Sequence, residues 1–453
     1  MKTVDQKLEQ LSAQEMKNWI REQARKQATG QRTAFLNDLT KKPAVAEHSA
    51  EDVTKAAAIK NQLAELEKKA AFIECQSLDQ YEEIYWDSEN VCEYNDPFEI
   101  GTKLTAAFCF AENLLFSKQY FLAAELYERL CRVSFPVYEP DNDITQELEM
   151  GIEELVLNKL AAVDLKEAGL FLLYSHYQTL AGEKRAAALY RYLNWDVCRL
   201  IKIEDVFAVG PEELLDADEF MEDWIRFLSK TPGNQAGEWL AEACLYQGGL
   251  DALIEEADKT WEQHPLLYEE ACIYLLKEER FDECEAVGLR AVEQLSEKWV
   301  IRGAIADLAA EAALQLGHKD ALAVFYPAAF YSFSTIPHYL RLFELPNAAN
   351  LVQEAAHYAQ HLPSHATNWY GENRQVNQNS LSLENKLVVR FFNHEFEAVY
   401  EAAKQDGSAL GWSKSFKGIA VPLFLLLLDK TIVTSKAKAA FADSLTIFNE
   451  KVN

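Results

Sequence analysis

At 453 residues the chain exceeds one ordinary compact core, which leaves two or three domains or one extended array. Only 17 Gly and 12 Pro interrupt a sequence rich in Ala, Leu and Glu, and strand-like alternation of β-branched residues is nearly absent, so the composition predicts an all-α protein. The formal charge of -28 is uneven: residues 1–75 hold 13 basic and 11 acidic side chains and the remainder 31 and 61, which disfavours nucleic acid and membrane partners for the main body.

Basic peptides or basic protein faces are the natural counterparts of such a surface, although acidity also serves simply to keep a protein dispersed. Eight cysteines are scattered without a Cys-x-x-Cys pair, most of them among apolar helix residues such as those around Cys109 and Cys272. They read as small buried hydrophobes in a reducing compartment. The opening MKTVDQKLEQ has no apolar stretch after its charges, and the longest apolar run, Val421 to Leu428, is eight residues. Neither a signal peptide nor a membrane span is predicted, and a soluble cytoplasmic protein is expected.

In chain order, Ser12-Ala13-Gln14-Glu15 forms a capping box ahead of Met16, Trp19 and Ile20. Phe35, Leu36 and Leu39 continue a second short helix, and residues 41–50 read as a linker within an N-terminal segment 1–75. Ile59, Leu63, Leu66, Ala70 and Ile73 then form a stripe at four- and three-residue spacing, suited to packing on the next unit or to a short coiled-coil seam. Asp96-Pro97-Phe98-Glu99 signals a helix start with Asp as cap and Pro in the first turn.

The run from Lys118 to Val133 places Tyr120, Ala123, Tyr127 and Leu130 on one helical face, as the second helix of a hairpin. PVYEPDNDIT reads as a loop, and helices are expected to resume at ELEMGIEELVLNKLAAV, at AGLFLLYSHYQTL, and after Gly210-Pro211. From Gly237 to about Ser334 hairpins are densest, with turns at Gln247-Gly248-Gly249, Lys277-Glu278-Glu279 and Leu316-Gly317-His318. Residues 76–365 thus read as stacked hairpins. A polar stretch after Pro363 precedes a closing cap, 366–453, with Phe396, Val399 and Ala403 facing inward.

These spacings resemble those of tetratricopeptide-type helical repeats. Tyr120, Ala123 and Tyr127 match the second helix of a first unit, Gly248 and Pro265 the turn and terminator of a second, Phe281, Cys284 and Ala291 a third, and Gly317 and Ala321 a fourth. Leu250 and Phe281, equivalent positions in successive units, lie 31 residues apart, and the usual Trp and Leu-Gly of the first helix are mostly missing. The resemblance implies an irregular α-solenoid with an N-terminal helical segment and a C-terminal helical cap, and protein or peptide binding on its concave face.

Chemistry has no visible seat. No phosphate loop, dinucleotide fingerprint or Gly-x-Ser-x-Gly occurs, and His394-Glu395 lacks the second His of a zinc hydrolase because Ala398 stands there. His357, His361 and His365 are the nearest approach to a metal cluster, but Pro363 ends the helix between the second and third. No cofactor or metal is expected. Two stretches are candidate partner sites. No Lys or Arg separates Lys202 from Arg226, an interval holding nine acids, of which Glu212, Glu213, Asp216, Asp218 and Glu219 could dock a Lys/Arg-rich segment; a solvated helix pair and loop explains them as well. The aromatic run from Phe325 to Leu340, with Phe330, Tyr331, Phe333 and Tyr339, could line a peptide groove or pack an irregular helix joint. The expectation is a non-enzymatic scaffold that holds a protein or peptide. Its alternatives are a peptide-responsive regulatory receptor and an enzyme whose site assembles only in the fold.

Overall fold

The computed structural model describes residues 50–68, 71–77, 92–138, 148–364, 379–405, 428–430, 432 and 434–452. The Ser12–Glu15 capping box, the short helices around Trp19 and Leu36, the linker apart from Ala50, Ala70, His365, the Ala403 side chain and residues 421–427 of the apolar run lie outside the described set. What is described is mostly helical and divides into two compact units, Met1–Leu214 and Leu215–Asn453.

The first unit opens with α1, Ala50–Lys68, whose buried Ala56, Leu63 and Leu66 pack against α3, Tyr120–Leu130. Lys60 reaches Glu125 and Arg129 reaches Glu67 along the same contact. The expected stripe does not continue to Ile73, because the helix stops at Lys68 and Ile73 opens a strand. Ala71, Ile73 and Cys75 are buried while Phe72 and Glu74 are partly exposed, the period-two pattern of a strand. Leu66 and Ile73 are seven residues apart, so they fit a helix stripe equally well on paper.

Four strands form one sheet in the order β2-β1-β3-β4: β1 Ile73–Ser77, β2 Cys92–Asn95, β3 Ser134–Tyr138 and β4 Glu149–Gly151. β1 pairs antiparallel with β2, with Cys75 opposite Tyr94, and parallel with β3, with Ile73 opposite Val137. β3 pairs antiparallel with β4, with Phe135 opposite Met150. The sheet corrects two expectations. Residues 136–138 of the presumed loop are strand, and Glu149–Gly151, within the helix expected from ELEM onward, is strand as well. A parallel pair needs a long crossover. Here α2, Ile100–Phe116, and α3 lie within the connection from β1 to β3. Asp96 caps α2 as expected, accepting from the Ile100 and Gly101 amides at 2.8 and 2.7 Å, but the helix begins after Pro97 and Phe98 rather than at them.

Helices α4 Ile152–Leu157, α5 Leu165–Thr179, α6 Gly182–Leu193 and α7 Ile203–Phe207 complete this unit, with α5 packed on α3. The Gly210-Pro211 pair opens no helix. Gly210 is left-handed at φ 88°, and a Cβ there would sit 2.3 Å from the Tyr174 ring. The Tyr174 hydroxyl donates to the Glu212 carbonyl at 2.8 Å and accepts from its amide at 3.2 Å, so both backbone groups are held outside a helix. Cys109, expected to be buried, is exposed on α2 between buried Phe108 and Phe110; Cys272 is buried as expected.

The second unit begins with α8, Ala217–Leu228, and α9, Asn234–Thr260, which Gly249 breaks into two arms at φ 69° and ψ -157°. Then come α10 Leu266–Lys277, α11 Phe281–Gln294, α12 Val300–Leu316 and α13 Lys319–Ser332. Each packs on the next, and α10 also meets α12 while α11 meets α13. Small residues allow the close approach: a Cβ on Gly288 would lie 2.2 Å from the Ala309 Cβ, and one on Gly303 2.5 Å from the Phe333 Cβ. Helices α14 Ile336–Arg341, α15 Ala348–His361, α16 Leu383–Phe392, α17 Phe396–Gln405 and α18 Ser435–Val452 follow. Their core gathers Tyr339, Phe391, Phe392, Phe396 and Phe441. Phe396 and Val399 face inward as expected.

One turn recurs across four hairpins. Lys118, Glu279, Gly317 and His394 all adopt left-handed φ near 60–74° at a helix C-terminus. In each, the next amide bonds the carbonyl five residues back: Gln119 to Leu114, Arg280 to Leu275, His318 to Ala313 and Glu395 to Arg390, at 2.8–3.0 Å. This is the Schellman closure, which satisfies carbonyls the helix leaves unpaired. The following helix starts two residues after the left-handed one, at Tyr120, Phe281, Lys319 and Phe396.

Candidate functional site

The five acids singled out in the sequence are divided between the two units and do different work. Glu212 belongs to the first unit and is tied down: its carboxylate accepts from Lys118 at 2.7 Å and from the Tyr120 hydroxyl. Burial first, and the carboxylate second, hold the Tyr120 phenol firmly protonated. Lys166 and Lys202 approach Asp205 and Glu204 at 3.6 and 3.9 Å, and Arg226 meets Asp223 at 2.6 Å. The stretch therefore has cationic partners that its own composition does not reveal. Glu213 is exposed beside Glu212. In the second unit Asp216 occupies the N-cap position of α8, and Asp218 and Glu219 are exposed in its first turn, where carboxylates offset the helix dipole.

The aromatic run is largely core. Phe330 and Tyr339 are fully buried with ring centroids 5.6 Å apart, each burial contributing about 2–3 kcal/mol. Tyr331 is half-buried, 5.0 Å from the Tyr358 ring. Only Phe333 of the four is exposed, at 39%, with its ring 5.6 Å from His338. Helix joints, rather than a groove, account for Phe330 and Tyr339. The His357 and His361 rings lie 4.5 Å apart, tilted by 54°, at the end of α15, and among the described residues there is no group of three or more His, Cys, Asp or Glu that could hold a metal ion. His394 is a left-handed turn residue, outside the helix that Phe396 begins.

A second titratable cluster in the first unit joins Glu128 of α3, His176 of α5 and Arg191 and Tyr192 of α6. Glu128 accepts from Arg191 at 3.1 Å and from the Tyr192 hydroxyl at 3.0 Å, and His176 stacks on the Tyr192 ring at 4.1 Å. Burial pushes His176 down to about 4, outweighing the Glu128 charge 4.0 Å away, so the ring is neutral at pH 7. Glu128 is satisfied within the cluster, which braces three helices. In the second unit a cleft of about 950 Å³ lies along α17 and α18, with Phe396 and Phe448 beside Glu395, Glu397, Glu401 and Lys451.

Sequence reasoning missed the outward face of the first helices in the hairpin series. In the first arm of α9 the buried side is Ala236, Gly237, Leu240, Ala241 and Cys244, which by helical periodicity turns Glu238, Glu242 and Tyr246 outward. In α10 Leu267, Tyr268, Ala271, Cys272 and Leu275 are buried, so Glu269, Glu270 and Ile273 share the opposite side. In α12 the outward positions include Asp307, Glu311 and Leu314. Tyr246, Ile273 and Leu314 remain 48%, 42% and 55% exposed. Each follows a carboxylate by three or four residues: Glu242, Glu270 and Glu311. Asp307 is neutralised by Arg341 and faces His338. Burial raises the Glu269 carboxyl and the neighbouring Glu270 raises it further; burial raises Glu270 too, with Glu238 of α9 adding to it. α9 and α10 pack on each other.

The signal was present as Glu-x-x-(x)-apolar spacing, but an exposed hydrophobe is indistinguishable from a core one until the buried side of each helix is known. Among the described residues no helix is long and apolar enough to cross a membrane. No family model matches the chain, and no curated protein matches it.

Proposed function

We propose that this chain is a non-enzymatic scaffold that holds a protein or peptide partner on a surface of stacked helical hairpins, in the manner of tetratricopeptide-type repeats. One observation carries the reading: in the second unit α10 packs on both α11 and α12, and α11 on both α12 and α13, the neighbour and next-neighbour contacts of hairpins stacked in register. The shared turn at Glu279 and Gly317 supports it, because equal turns set each second helix in an equivalent place on its first. Such stacking leaves part of the outer side of each first helix exposed. Here that side mixes carboxylates with exposed apolar groups, so a partner with basic character gains both long-range attraction and apolar burial.

The test is affinity capture on the immobilised full chain from cytoplasmic extract, followed by rebinding of the purified captured protein at several salt concentrations. A stoichiometric complex is expected whose association rate falls as salt rises, with a smaller change in dissociation. A captured molecule that leaves chemically altered would refute the non-enzymatic reading, and rates indifferent to ionic strength would refute electrostatic steering.

A further inference from the structure

Two thiols meet inside the hairpin of α10 and α11. Cys272 and Cys284 are fully buried, and the Cys284 thiol donates to the Cys272 carbonyl, with Sγ 3.7 Å from the oxygen. The turn explains the meeting. The Arg280 amide bonds the Leu275 carbonyl at 2.9 Å, and the Cys284 amide bonds the Arg280 carbonyl at 3.0 Å, so each cysteine stands one helical turn from the closed end of the hairpin. The hydrogen bond with Cys284 first, and burial second, push the Cys272 thiol up and keep it protonated. We propose that Cys272 and Cys284 are a redox-responsive pair, thiols in the resting chain and joined by a reversible disulfide that locks α10 to α11 when a hydroperoxide is present. The pair acts on the hairpin itself, whether or not the surrounding array holds a partner.

The chemistry balances with hydrogen peroxide as co-reactant. One cysteine, as thiolate, attacks a peroxide oxygen; the O–O bond breaks, a sulfenic acid forms and hydroxide leaves. The second sulfur then attacks the sulfenic sulfur, the S–O bond breaks and water departs, leaving the disulfide. Two electrons pass from the sulfurs to peroxide, and the thiol protons end in two waters. A buried, protonated thiol is a poor nucleophile, so the closed hairpin resists the first step. Oxidation therefore proceeds through local opening of α10 from α11, and the bridge forms as the two helices close again. Once made, it ties the chain across an interval of eleven residues and restricts that same opening. Cys109, exposed on α2, reports peroxide attack that needs no opening.

The experiment treats the reduced full-length chain with hydrogen peroxide, blocks remaining thiols with iodoacetamide in denaturing urea and maps tryptic peptides by mass. Cleavage after Lys277 and Arg280 separates the two cysteines, so a bridge joins peptide 260–277 to peptide 281–290 at the summed mass less two hydrogens. That linked peptide is expected as the main disulfide product, formed more slowly than Cys109 is oxidised and lost on addition of dithiothreitol. Urea below the unfolding transition should speed its formation, because opening limits the rate. Bridging should slow amide exchange in α10 and α11 about tenfold and leave α5 and α6 of the first unit unchanged. Cys272→Ser and Cys284→Ser should each remove the linked peptide and the slowing, while the parent chain alone supplies the peptide map should either variant fold poorly. Recovery of both peptides unlinked after Cys109 has been oxidised would overturn the pair, as would a bridge that forms only in the fully denatured chain. A linked peptide without slower exchange in α10 and α11 would overturn the lock.

Discussion

The left-handed turn at Glu279 offers the sharpest test of the hairpin geometry. A non-glycine residue at φ 60° sets its Cβ against the following carbonyl, at about 1–2 kcal/mol. Glycine removes that strain but adds freedom to the unfolded chain, which returns about 0.5–1 kcal/mol. Glu279 is exposed, so the backbone dominates the outcome. Glu279→Gly is therefore expected to stabilise the second unit by about 0.5–1 kcal/mol. Gly317→Ala, at the equivalent turn with φ 74° and open space around the new methyl, should destabilise by about 1 kcal/mol. Urea denaturation gives the global shift, and hydrogen exchange resolved to peptides from α10 to α13 places it in the second unit, which matters because two units need not unfold together. Loss of stability in Glu279→Gly, of the size expected for glycine inside a helix, would show that this residue is helical and that the four turns do not share one closure.

Other perturbations test packing and charge. Gly288→Ala should cost about 1–3 kcal/mol, since the added methyl meets the Ala309 Cβ at 2.2 Å between two helices; a neutral result by thermal denaturation would mean that α11 and α12 are not in contact there. Glu269 and Glu270 are raised in the fold, so the folded chain holds their protons more readily than the unfolded one, and their contribution is favourable at low pH and lost as pH rises through the folded values. Changing both to Gln should thus add about 0.5 kcal/mol at pH 7, an advantage that disappears below about pH 4 in urea titrations. His176 runs the opposite way: lowered to about 4, it favours the fold while neutral, and its contribution, on the order of 3 kcal/mol, is lost as pH falls from about 6.5 to 4. His176→Gln should flatten that part of the stability profile of the first unit.

The hairpins were legible because a helix turn is written locally. Gly249, Glu279 and Gly317 each stand where the apolar period of one helix lapses and the next begins, and Lys118 sits inside the expected Ser-Lys-Gln turn. The sheet was not legible because its strands are three to five residues long and pair across wide separations, as Ile73 does with Val137. Ile73 satisfies a heptad stripe and a two-residue alternation at once, and only the pairing partner decides between them. Gly210-Pro211 misled for a related reason. Its local pattern permits a helix start, but Tyr174, 36 residues earlier than Gly210, holds both backbone groups of Glu212.

The candidate sites show the same dependence on distant partners. Glu212 belongs to an acidic run in the sequence, and its cation, Lys118, lies 94 residues away. Phe330 and Tyr339 belong to an aromatic run, and the same density of rings that suggested a groove closes a helix joint. At Glu212, Phe330 and Tyr339, clustering in sequence thus marked places where the fold uses charge and rings for itself. The apolar side chains exposed on the first helices, Tyr246, Ile273 and Leu314, are dispersed singly among core positions of the same type. A stacked array requires that dispersal, because each first helix must bury most of its apolar side chains against its own unit and can spare only one or two per hairpin for anything else. Affinity on such a face grows by repetition along the stack, so a partner long enough to meet three hairpins should gain far more than one that meets a single hairpin.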